Sequence, residues 1–579
     1  MPLKLFSSKK KEGDATTGAA ESSPITSLAT LETDEKRLDG PEAVGSSTDV
    51  NSAEDVEKPQ ESDTKDENAE EYPTGVTLLI VVIGLCLAIL LVALDNTIIA
   101  TAIPKITDYF GALNDVGWYG SAYLLTTCAF QLIFGKFYTF LPVKWVFLTT
   151  IVIFEIGSAV CGAAPTSNAL IVGRAVAGLG SAGIFSGGLV IIAYSVPLEK
   201  RPIYNGLFGS MYGIASVAGP LMGGALTDHV SWRWCFYINL PFGVVTIAAI
   251  LFFLKPPKQT IYAAASWKER ANQLDIFGTA IFIPAVVCLL LALQWGGTTY
   301  AWKDGRIIAL FVLFAVLIVI FLGVQVWKGD YATVPPRILK QRSMSFGFFF
   351  AFVLGASFFV MVYFVPIWFQ AIKGVSATKS GIMSIPLVLS LVVLSLVCGG
   401  TVTAIGHYVP MLFLSSILSS IGAGLLTTFT VNTAHPQWIG YQVIYGAGIG
   451  AGMQMPLLAA QVVLKLDDVP VGTALIVFAQ TLGGALFVSV AQNVFSNRLV
   501  SGVIQAAPGL DPKLVISAGA TNIGTMIPSQ YVAGVQIAYN RALTETWYVA
   551  VAMSCLSIIG AIGMEWKSVK GQKLEAVAA

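Results

Sequence analysis

Long apolar stretches recur along this chain and are separated by short polar segments. Windows of about 20 apolar residues, enough for a helix to span a bilayer, begin near residues 76, 116, 145, 168, 204, 234, 275, 307, 346, 380, 408, 437, 470 and 546. The glycine-rich windows near 380 and 437 stand out least in hydropathy. The pattern predicts an all-α polytopic membrane protein with 14 transmembrane helices, and an even number of spans puts both termini on one side.

The composition agrees with a membrane protein and adds a polar tail. The 579 residues are 55% hydrophobic and 12% charged, and the mean hydropathy is +0.72, unlike that of soluble domains. Residues 1–72 hold 18 acidic and 8 basic residues and almost no aromatic ones. Such a segment cannot bury enough apolar surface to fold. We expect a disordered tail over residues 1–72, with no apolar core of a signal peptide.

Basic residues between the spans indicate the orientation. With cytoplasmic termini, the inner connections and the C-terminal segment hold 16 Lys and Arg residues, and the outer connections hold nine. Because basic residues favour the cytoplasmic side, both termini are expected in the cytoplasm. The plasma membrane is the expected location, and the vacuolar membrane stays open.

The sequence gives no support for metal, cofactor or catalytic chemistry. The seven cysteines lie in or beside apolar windows without CxxC spacing, and the three histidines, His229, His407 and His435, lie far apart. We interpret the cysteines as small buried hydrophobes. The ATP-binding pattern GxxxxGK[ST] is missing as well. No metal, cofactor, nucleic-acid partner or enzyme activity is therefore expected.

Three charged side chains fall inside predicted spans. Asp95 follows 21 uncharged residues in span one, Glu155 lies in the middle of span three, and Arg174 lies near the outer end of span four. A charge at the bilayer centre costs roughly 2.5–3.5 kcal/mol or more, so such a group usually faces a cavity, a partner or a transported proton. We predict that Asp95, Arg174 and Glu155 couple transport to protons. A static ion pair of Asp95 with Arg174, and a hydrogen-bonded packing role for Glu155, are the alternatives.

Another acid, Asp275, stands at the start of span seven. It is expected to cap that helix or to meet the membrane interface.

Spans four and twelve share a pattern. Span four reads RAVAGLGSAG from Arg174, with Gly178 and Gly180, and span twelve reads QVIYGAGIGAG from Gln442. The two lie eight spans apart, as expected for parallel six-helix repeats with two helices inserted between them. Coincidence between glycine-rich helices is the alternative. If the halves are related, the cation belongs to only one of them.

Span five contains GIASVAGPLMGGAL. Glycines at this spacing let helices approach closely, and a proline inside a span permits a bend. Tight packing and helix movement are both compatible with the pattern. The residues concerned are Gly213, Gly219, Pro220, Gly223 and Gly224.

Together these motifs resemble a known family. LDNTIIATAIP in span one, RAVAGLGSAG, GPLMGG and WRWCFYINLPFG from Trp232 are similar to the fourteen-span drug:proton antiporters of the major facilitator superfamily. YFVPIWFQ from Tyr363 adds a similarity to fungal multidrug and toxin efflux carriers. The resemblance covers about residues 74–566. It implies two six-helix bundles plus two additional central helices, alternating access, a monomer, and export driven by inward proton flow.

The loop between spans two and three departs from the family. The family's Gly-x-x-x-Asp-Arg-x-Gly pattern reads GKFYTFLPVKW here, so that Gly135 and Lys144 remain, while Thr139 replaces the Asp and Pro142 the second Gly. A cytoplasmic charge latch that depends on that Asp is therefore in doubt.

Few polar residues are available inside the predicted bundle, among many aromatic ones. This mixture favours a bulky, weakly polar organic molecule held by shape and a few hydrogen bonds. The candidate cavity residues are Gln131, Gln294, Tyr363, Phe369, Gln370, Gln442, Gln454 and Gln480.

The predicted organisation is a tail (1–72), a six-helix bundle (73–256), two inserted helices with linkers (257–330), a second six-helix bundle (331–566) with a long outer loop at about 498–545, and a cytoplasmic C-terminal tail (567–579). The predicted function is proton-coupled efflux of a hydrophobic drug or fungal toxin. Proton-coupled uptake or siderophore transport on the same scaffold, and a transport-inactive membrane sensor, are the alternatives.

Overall fold

A computed structural model describes residues 72–112, 115–255, 273–297, 299–520 and 523–570. The predicted tail, apart from Tyr72, lies outside the described residues. The C-terminal segment from residue 571 and most of the linker after the first bundle lie outside them too.

Helices make up most of the described chain. The N-terminal half consists of α1 (Gly75–Phe110), α2 (Val116–Phe140), α3 (Val143–Ala163), α4 (Ser167–Ser195), α5 (Arg201–His229), α6 (Trp234–Tyr237) and α7 (Asn239–Phe253). Two further helices follow, α8 (Ile276–Trp295) and α9 (Gly305–Lys328). The C-terminal half consists of α10 (Pro336–Lys340), α11 (Arg342–Lys373), α12 (Ala377–Met383), α13 (Ile385–Ile405), α14 (Val409–Leu426), α15 (His435–Gly452), α16 (Met455–Val463), α17 (Val469–Ala506), α18 (Pro512–Ala518), α19 (Ile523–Met526) and α20 (Ser529–Gly563).

The helices agree with the predicted apolar windows. Within the described ranges, 12 helices are long and apolar enough to cross a membrane, which confirms an all-helical multi-pass membrane protein. The windows predicted near 116 and 204 correspond to α2 and α5, of 25 and 29 residues, which are not among those 12. Both helices carry polar side chains and glycines along their length, which lowers their hydropathy.

The segment before the last helix was predicted to be a long outer loop at about 498–545. In the structure much of it is helical. Helix α17 continues to Ala506 and α20 already begins at Ser529, with two short helices between them. Buried apolar side chains of this segment, Leu510, Val515 and Ile523 among them, pack on the C-terminal core. Their burial accounts for the helical structure of a segment that is less apolar than a span.

The helix ends follow local rules. Helix α1 ends at Gly111, whose φ of 61° only glycine adopts easily, and its N–H bonds to the Thr107 carbonyl. The Thr166 side chain caps α4 by accepting a hydrogen bond from the Ala169 N–H. Asp275 caps α8 through the Gly278 N–H, 3.0 Å away, as predicted.

The two halves use the same packing plan. Helix α1 packs on α5 and α7, and α4 packs on α2 and α3. In the C-terminal half, α11 packs likewise on α17 and α20, and α15 packs on α13 and α14. The halves meet where α5 contacts α13 and where α2 contacts α17, and α8 lies against α2 and α17.

Close glycine contacts repeat in register between the halves. A Cβ at Gly178 would overlap the Tyr123 carbonyl and the Thr126 hydroxyl, whereas one at Gly446 would overlap the Leu387 carbonyl and the Ser390 hydroxyl. These partners stand three residues apart in both halves. The motifs in spans four and twelve thus occupy equivalent positions.

Candidate functional site

The charges predicted in spans one and four meet. Arg174 Nη1 lies 2.5 Å from Asp95 Oδ2, and both side chains are 0% exposed. The guanidinium also donates from Nε to the Tyr119 carbonyl at 2.8 Å, and it lies 4.4 Å from the centre of the Tyr123 ring. Two α2 residues and one α1 carboxylate therefore hold a cation that would be very costly to bury alone.

Helices α7 and α3 complete this buried site. Asn239, at the start of α7, donates from Nδ2 to Asp95 Oδ1 and to the Ser158 hydroxyl of α3, each at 3.1 Å. Sequence reasoning did not assign a role to Asn239 or Ser158. Asn239 lies inside WRWCFYINLPFG, so the motif that carried the family resemblance contained the signal for it.

Glu155 lies one turn from Ser158 on α3 and does not join the ion pair. Its two carboxyl oxygens are buried without a hydrogen-bond partner among the described residues. The carboxyl group packs against the backbone of Gly243 on α7, where even a Cβ would overlap it. The space for this acid between α3 and α7 therefore depends on a glycine.

Two glycines of span five face α1. Cβ atoms at Gly219 and Gly223 would overlap the hydroxyls of Thr97 and Thr101 on α1. The Thr97 hydroxyl in turn donates to the Ala215 carbonyl at 2.9 Å, which ties α1 to α5 next to Asp95.

The opposite side of α5 contacts the C-terminal half. Gly213 lies against Val392 of α13, Gly224 against Thr378 of α12, and Pro220 against Gly381. Helix α5 thus contacts both α1, which carries Asp95, and the other bundle.

Three of the predicted glutamines line one central cavity between the halves. Gln131, Gln454 and Gln480 meet there with Phe358 and Phe359, around a volume of about 70 Å³. Both amide atoms of Gln131 are buried without a partner among the described residues, and the Gln454 oxygen is likewise unpaired there. This cavity combines unused hydrogen-bonding groups with aromatic walls, as ligand sites do.

Two other predicted residues, Gln294 and Tyr363, line a separate cavity of about 150 Å³. It lies between α2, α8, α11 and α17. The predicted substrate residues are therefore divided between two cavities.

The remaining predicted cavity residues line neither cavity. Phe369 is fully buried against Trp368 and Trp438. Gln370 donates to the Pro366 carbonyl and the Ser380 hydroxyl. Gln442, the counterpart of Arg174, donates to the Met383 and Trp438 carbonyls, each at 3.1 Å. Their contacts indicate packing and helix pairing.

The residues of the loop motif between α2 and α3 have local roles. Gly135 allows α2 to approach Ala474 and the Pro470 carbonyl of α17. Lys144 donates to the Leu251 and Leu254 carbonyls at 2.8 and 2.9 Å, which satisfies the C-terminal end of α7.

Thr139, which replaces the family's Asp, donates only within its own helix, to the Gly135 carbonyl. Among the described residues its side chain forms no hydrogen bond to the loop, and the doubt about a charge latch stays a prediction.

The inserted helices have their own buried acid. Asp275 accepts hydrogen bonds from Gln325 and from the N–H and hydroxyl of Thr333, and it pairs with Lys328 at 3.1 Å. Burial opposes its ionisation, but the bonds from Thr333, Gly278, Lys328 and Gln325 outweigh that effect and hold the pKa of Asp275 below its ordinary value. Asp275 therefore fastens α8, α9 and the following linker together.

The cysteines agree with the interpretation as small hydrophobes. All seven are free thiols, of which six are buried, and Cys555 is exposed.

Comparison with known proteins agrees with this fold. The Major Facilitator Superfamily profile matches residues 85–488, which include Asp95 and Arg174. The chain therefore belongs to the Major Facilitator Superfamily of membrane transporters.

Fungal relatives are similar over most of the chain. MFS-type efflux pump MFS1 of Trichophyton rubrum is 67% identical over 89% of this chain and 96% of its own. Efflux pump aflT of Aspergillus parasiticus is 54% identical over 87% and 98%, and efflux pump roqT of Penicillium rubens is 52% identical over 88% and 96%.

A solved structure shares the fold at low identity. The proton:xylose symporter XylE superposes with a TM-score of 0.54 at 13% identity, over 85% of this chain and 98% of its own. At this identity the likeness concerns the fold alone.

Proposed function

We propose that this protein exports bulky hydrophobic organic molecules, such as a drug or a fungal toxin, in exchange for protons by alternating access. The names of its fungal relatives as efflux pumps support the direction. The single observation that carries the coupling is the buried Asp95–Arg174 pair, whose net charge changes by one when Asp95 binds a proton.

The coupling works through competition for the carboxylate. While Asp95 is ionised, Arg174 and Asn239 hold it and tie together α1, α4 and α7. Protonation removes the attraction to Arg174, so the helices around the site are freed to rearrange. Release of the proton on the other side restores the pair, and the substrate in the central cavity moves in the opposite direction.

Glu155 is proposed as a second proton site. A carboxylate without partners is very costly in the membrane, so this acid is stable there only in its neutral form. Ser158, one turn away on α3, accepts a hydrogen bond from Asn239, which also donates to Asp95. A proton that enters the bundle can thus bind to either of two carboxyl groups, Asp95 on α1 or Glu155 on α3.

We also propose fourteen spans, with α2 and α5 added to the 12 apolar helices, and cytoplasmic termini. The excess of basic residues in the assigned inner connections supports that orientation. Asp95 then lies 20 residues into α1, about 30 Å from its inner end at 1.5 Å per residue. The plasma membrane and a monomer complete the proposal.

The energy of one proton is sufficient. Moving one charge across 100 mV yields about 2.3 kcal/mol, and one pH unit adds about 1.4 kcal/mol. Together they sustain a gradient of several hundredfold for a neutral solute, since each tenfold step costs about 1.4 kcal/mol.

Accumulation of rhodamine 6G, a fluorescent hydrophobic cation, tests the proposal in cells that express wild type, Asp95→Asn or Asp108→Asn. Asp108 is an exposed acid on the same helix and serves as the matched control. We expect wild type and Asp108→Asn to lower accumulation about tenfold, and a protonophore or Asp95→Asn to abolish that effect. Normal export by Asp95→Asn at equal membrane levels contradicts the coupling, and higher accumulation in wild-type cells indicates uptake.

A further inference from the structure

We propose that the cavity of about 150 Å³ beside α8 is a second substrate site, in series with the central cavity, that takes an aromatic ring of the exported molecule. This inference rests on the proposed export function. It assigns a role to the inserted helix α8, which the mechanism above does not use.

The two cavities share part of their walls. Phe359 of α11 and Thr481 of α17 line both. Phe359 and Thr481 therefore stand at the boundary between the two cavities. A substrate that passes these two side chains moves from one cavity to the other.

The second cavity suits an apolar ring. Leu124 and Leu125 of α2, Leu290 and Leu291 of α8, and Val488 of α17 form much of its surface. An apolar cavity of about 150 Å³ has room for one benzene-sized ring. The cavity therefore accommodates one ring system of a larger substrate.

The serine and threonine hydroxyls of the cavity already have partners. Ser121 donates to the Gly117 carbonyl at 2.6 Å, Ser489 to the Ala485 carbonyl at 3.1 Å, and Thr481 to the Val477 carbonyl at 3.0 Å. These bonds stay within their own helices, so these three hydroxyls do not require a polar ligand. In the central cavity, by contrast, both amide atoms of Gln131 are buried without a partner among the described residues.

Helix α8 supplies one side of the second cavity. Leu290, Leu291 and Gln294 stand on this helix, while the other lining residues belong to α2, α11 and α17 of the two halves. Gln294 reaches α2 at Gly117, where a Cβ would lie 2.8 Å from its Nε2. Removal of α8 would leave this side of the cavity without a wall.

The same turns of α2 contact the ion pair. Arg174 bonds to the Tyr119 carbonyl and lies on the Tyr123 ring, while the neighbouring residues Trp118 and Leu124 line the cavity. If Arg174 moves away from Asp95, it therefore also shifts the α2 segment that forms one wall of the second cavity. In this way proton binding changes the second cavity as well as the first.

Binding of rhodamine 6G to purified full-length protein tests the site through fluorescence anisotropy. Leu291→Trp fills the cavity from α8, and Ser489→Phe fills it from α17. The matched control is Leu293→Trp, a half-buried position on α8 that does not line the cavity. We expect both filling variants to raise the dissociation constant at least tenfold and the control to change it less than twofold, with melting temperatures recorded for all.

Equal binding by wild type and the two filling variants, or no saturable binding to wild type, overturns the second site. Cell export of the same dye separates the two proposals. If the filling variants lose binding but wild type does not export, the site stands and the export function fails. If wild type exports and the filling variants bind and export normally, the export function stands and the second site fails.

Discussion

Asp95 and Arg174 lie 2.5 Å apart, oxygen to nitrogen, at a point where neither side chain has any exposed surface. The contact does more than neutralise two charges. Through Tyr119, Asn239 and Ser158 it also fixes the relative positions of α2, α7 and α3. If the proposed coupling is correct, stability and transport depend on the same atoms, and experiments have to separate the two.

A double variant separates them. Arg174→Gln leaves Asp95 buried without its cation and is expected to cost about 3–5 kcal/mol of stability. Adding Asp95→Asn removes the uncompensated charge, so the double variant should recover much of the melting temperature while proton-driven export stays absent. Recovery of export together with stability would show that the pair is only structural.

Arg174→Lys tests the geometry of the cation. The guanidinium reaches the Tyr119 carbonyl and Asp95 from different nitrogens, which a lysine ammonium cannot reproduce. We expect export to fall at least tenfold, measured as dye efflux at equal membrane levels. Efflux within twofold of wild type would mean that charge alone suffices.

Asn239 should matter more than its partner Ser158. Asn239→Ala removes the second donor to Asp95, whereas Ser158→Ala removes only an acceptor for Asn239. A hydrogen bond to a charged group contributes about 1.5–3 kcal/mol. We expect initial rates of dye export to fall about tenfold in Asn239→Ala and less in Ser158→Ala. The reverse order would contradict the assigned roles.

Glu155→Gln distinguishes a proton carrier from a packing acid. Glutamine keeps the shape of a neutral carboxyl group but cannot release a proton. If Glu155 carries protons, gradient-driven export should fall at least tenfold while the melting temperature stays near that of wild type. Unchanged export by this variant would leave Glu155 a packing role next to Gly243.

Substitution of Gln131 should raise the stability of the protein and lower its transport activity. Its amide is buried without a partner among the described residues, so Gln131→Leu should stabilise the protein by about 1–3 kcal/mol. Loss of one hydrogen bond to the substrate should weaken export about tenfold. Gln442→Leu is the control, because the amide nitrogen of Gln442 has two backbone partners and its loss should destabilise the protein. Melting temperature and dye export are measured on both.

The hydrogen bonds and ion pair of Asp275 should make a contribution to stability that depends on pH. Its pKa is lowered in the folded protein, so the contribution is complete above the carboxyl pKa of the unfolded chain and is lost as pH falls through the lower folded value. Asp275→Asn should cost about 2 kcal/mol at pH 7, and the difference from wild type should shrink in acid.

The matched control for this experiment is Asp330→Asn. Asp330 is 73% exposed in its pair with Arg337, and exposed pairs contribute little. Melting temperatures of the purified proteins across pH provide the comparison. A difference between wild type and Asp275→Asn that grows in acid would contradict the assignment.

The sequence predicted the helices and the two members of the ion pair well. A charge within 20 apolar residues is conspicuous, so Asp95 and Arg174 could be recognised from the chain alone. Asn239 could not be chosen in the same way, because a single amide in a span is less costly than a charge and carries no fixed partner. Its contact with Asp95 depends on the packing of α7 against α1.

The positions of the predicted substrate residues could not be inferred from the sequence. Gln131, Gln294 and Gln442 all stand in predicted spans, yet they lie in the central cavity, in the second cavity and in a packed helix contact, respectively. Side-chain type does not determine which face of a helix meets a cavity. Tilt and neighbours decide this, and both arise from long-range packing.

Phe359 belongs to the walls of both cavities. One nucleotide change at this codon would therefore alter both cavities at once, while the proposed proton-coupling residues on other helices stay intact. Substrate range and energy supply can thus be inherited and selected separately. A lineage exposed to a new toxic compound could adapt by substitution at this position, without rebuilding the pump.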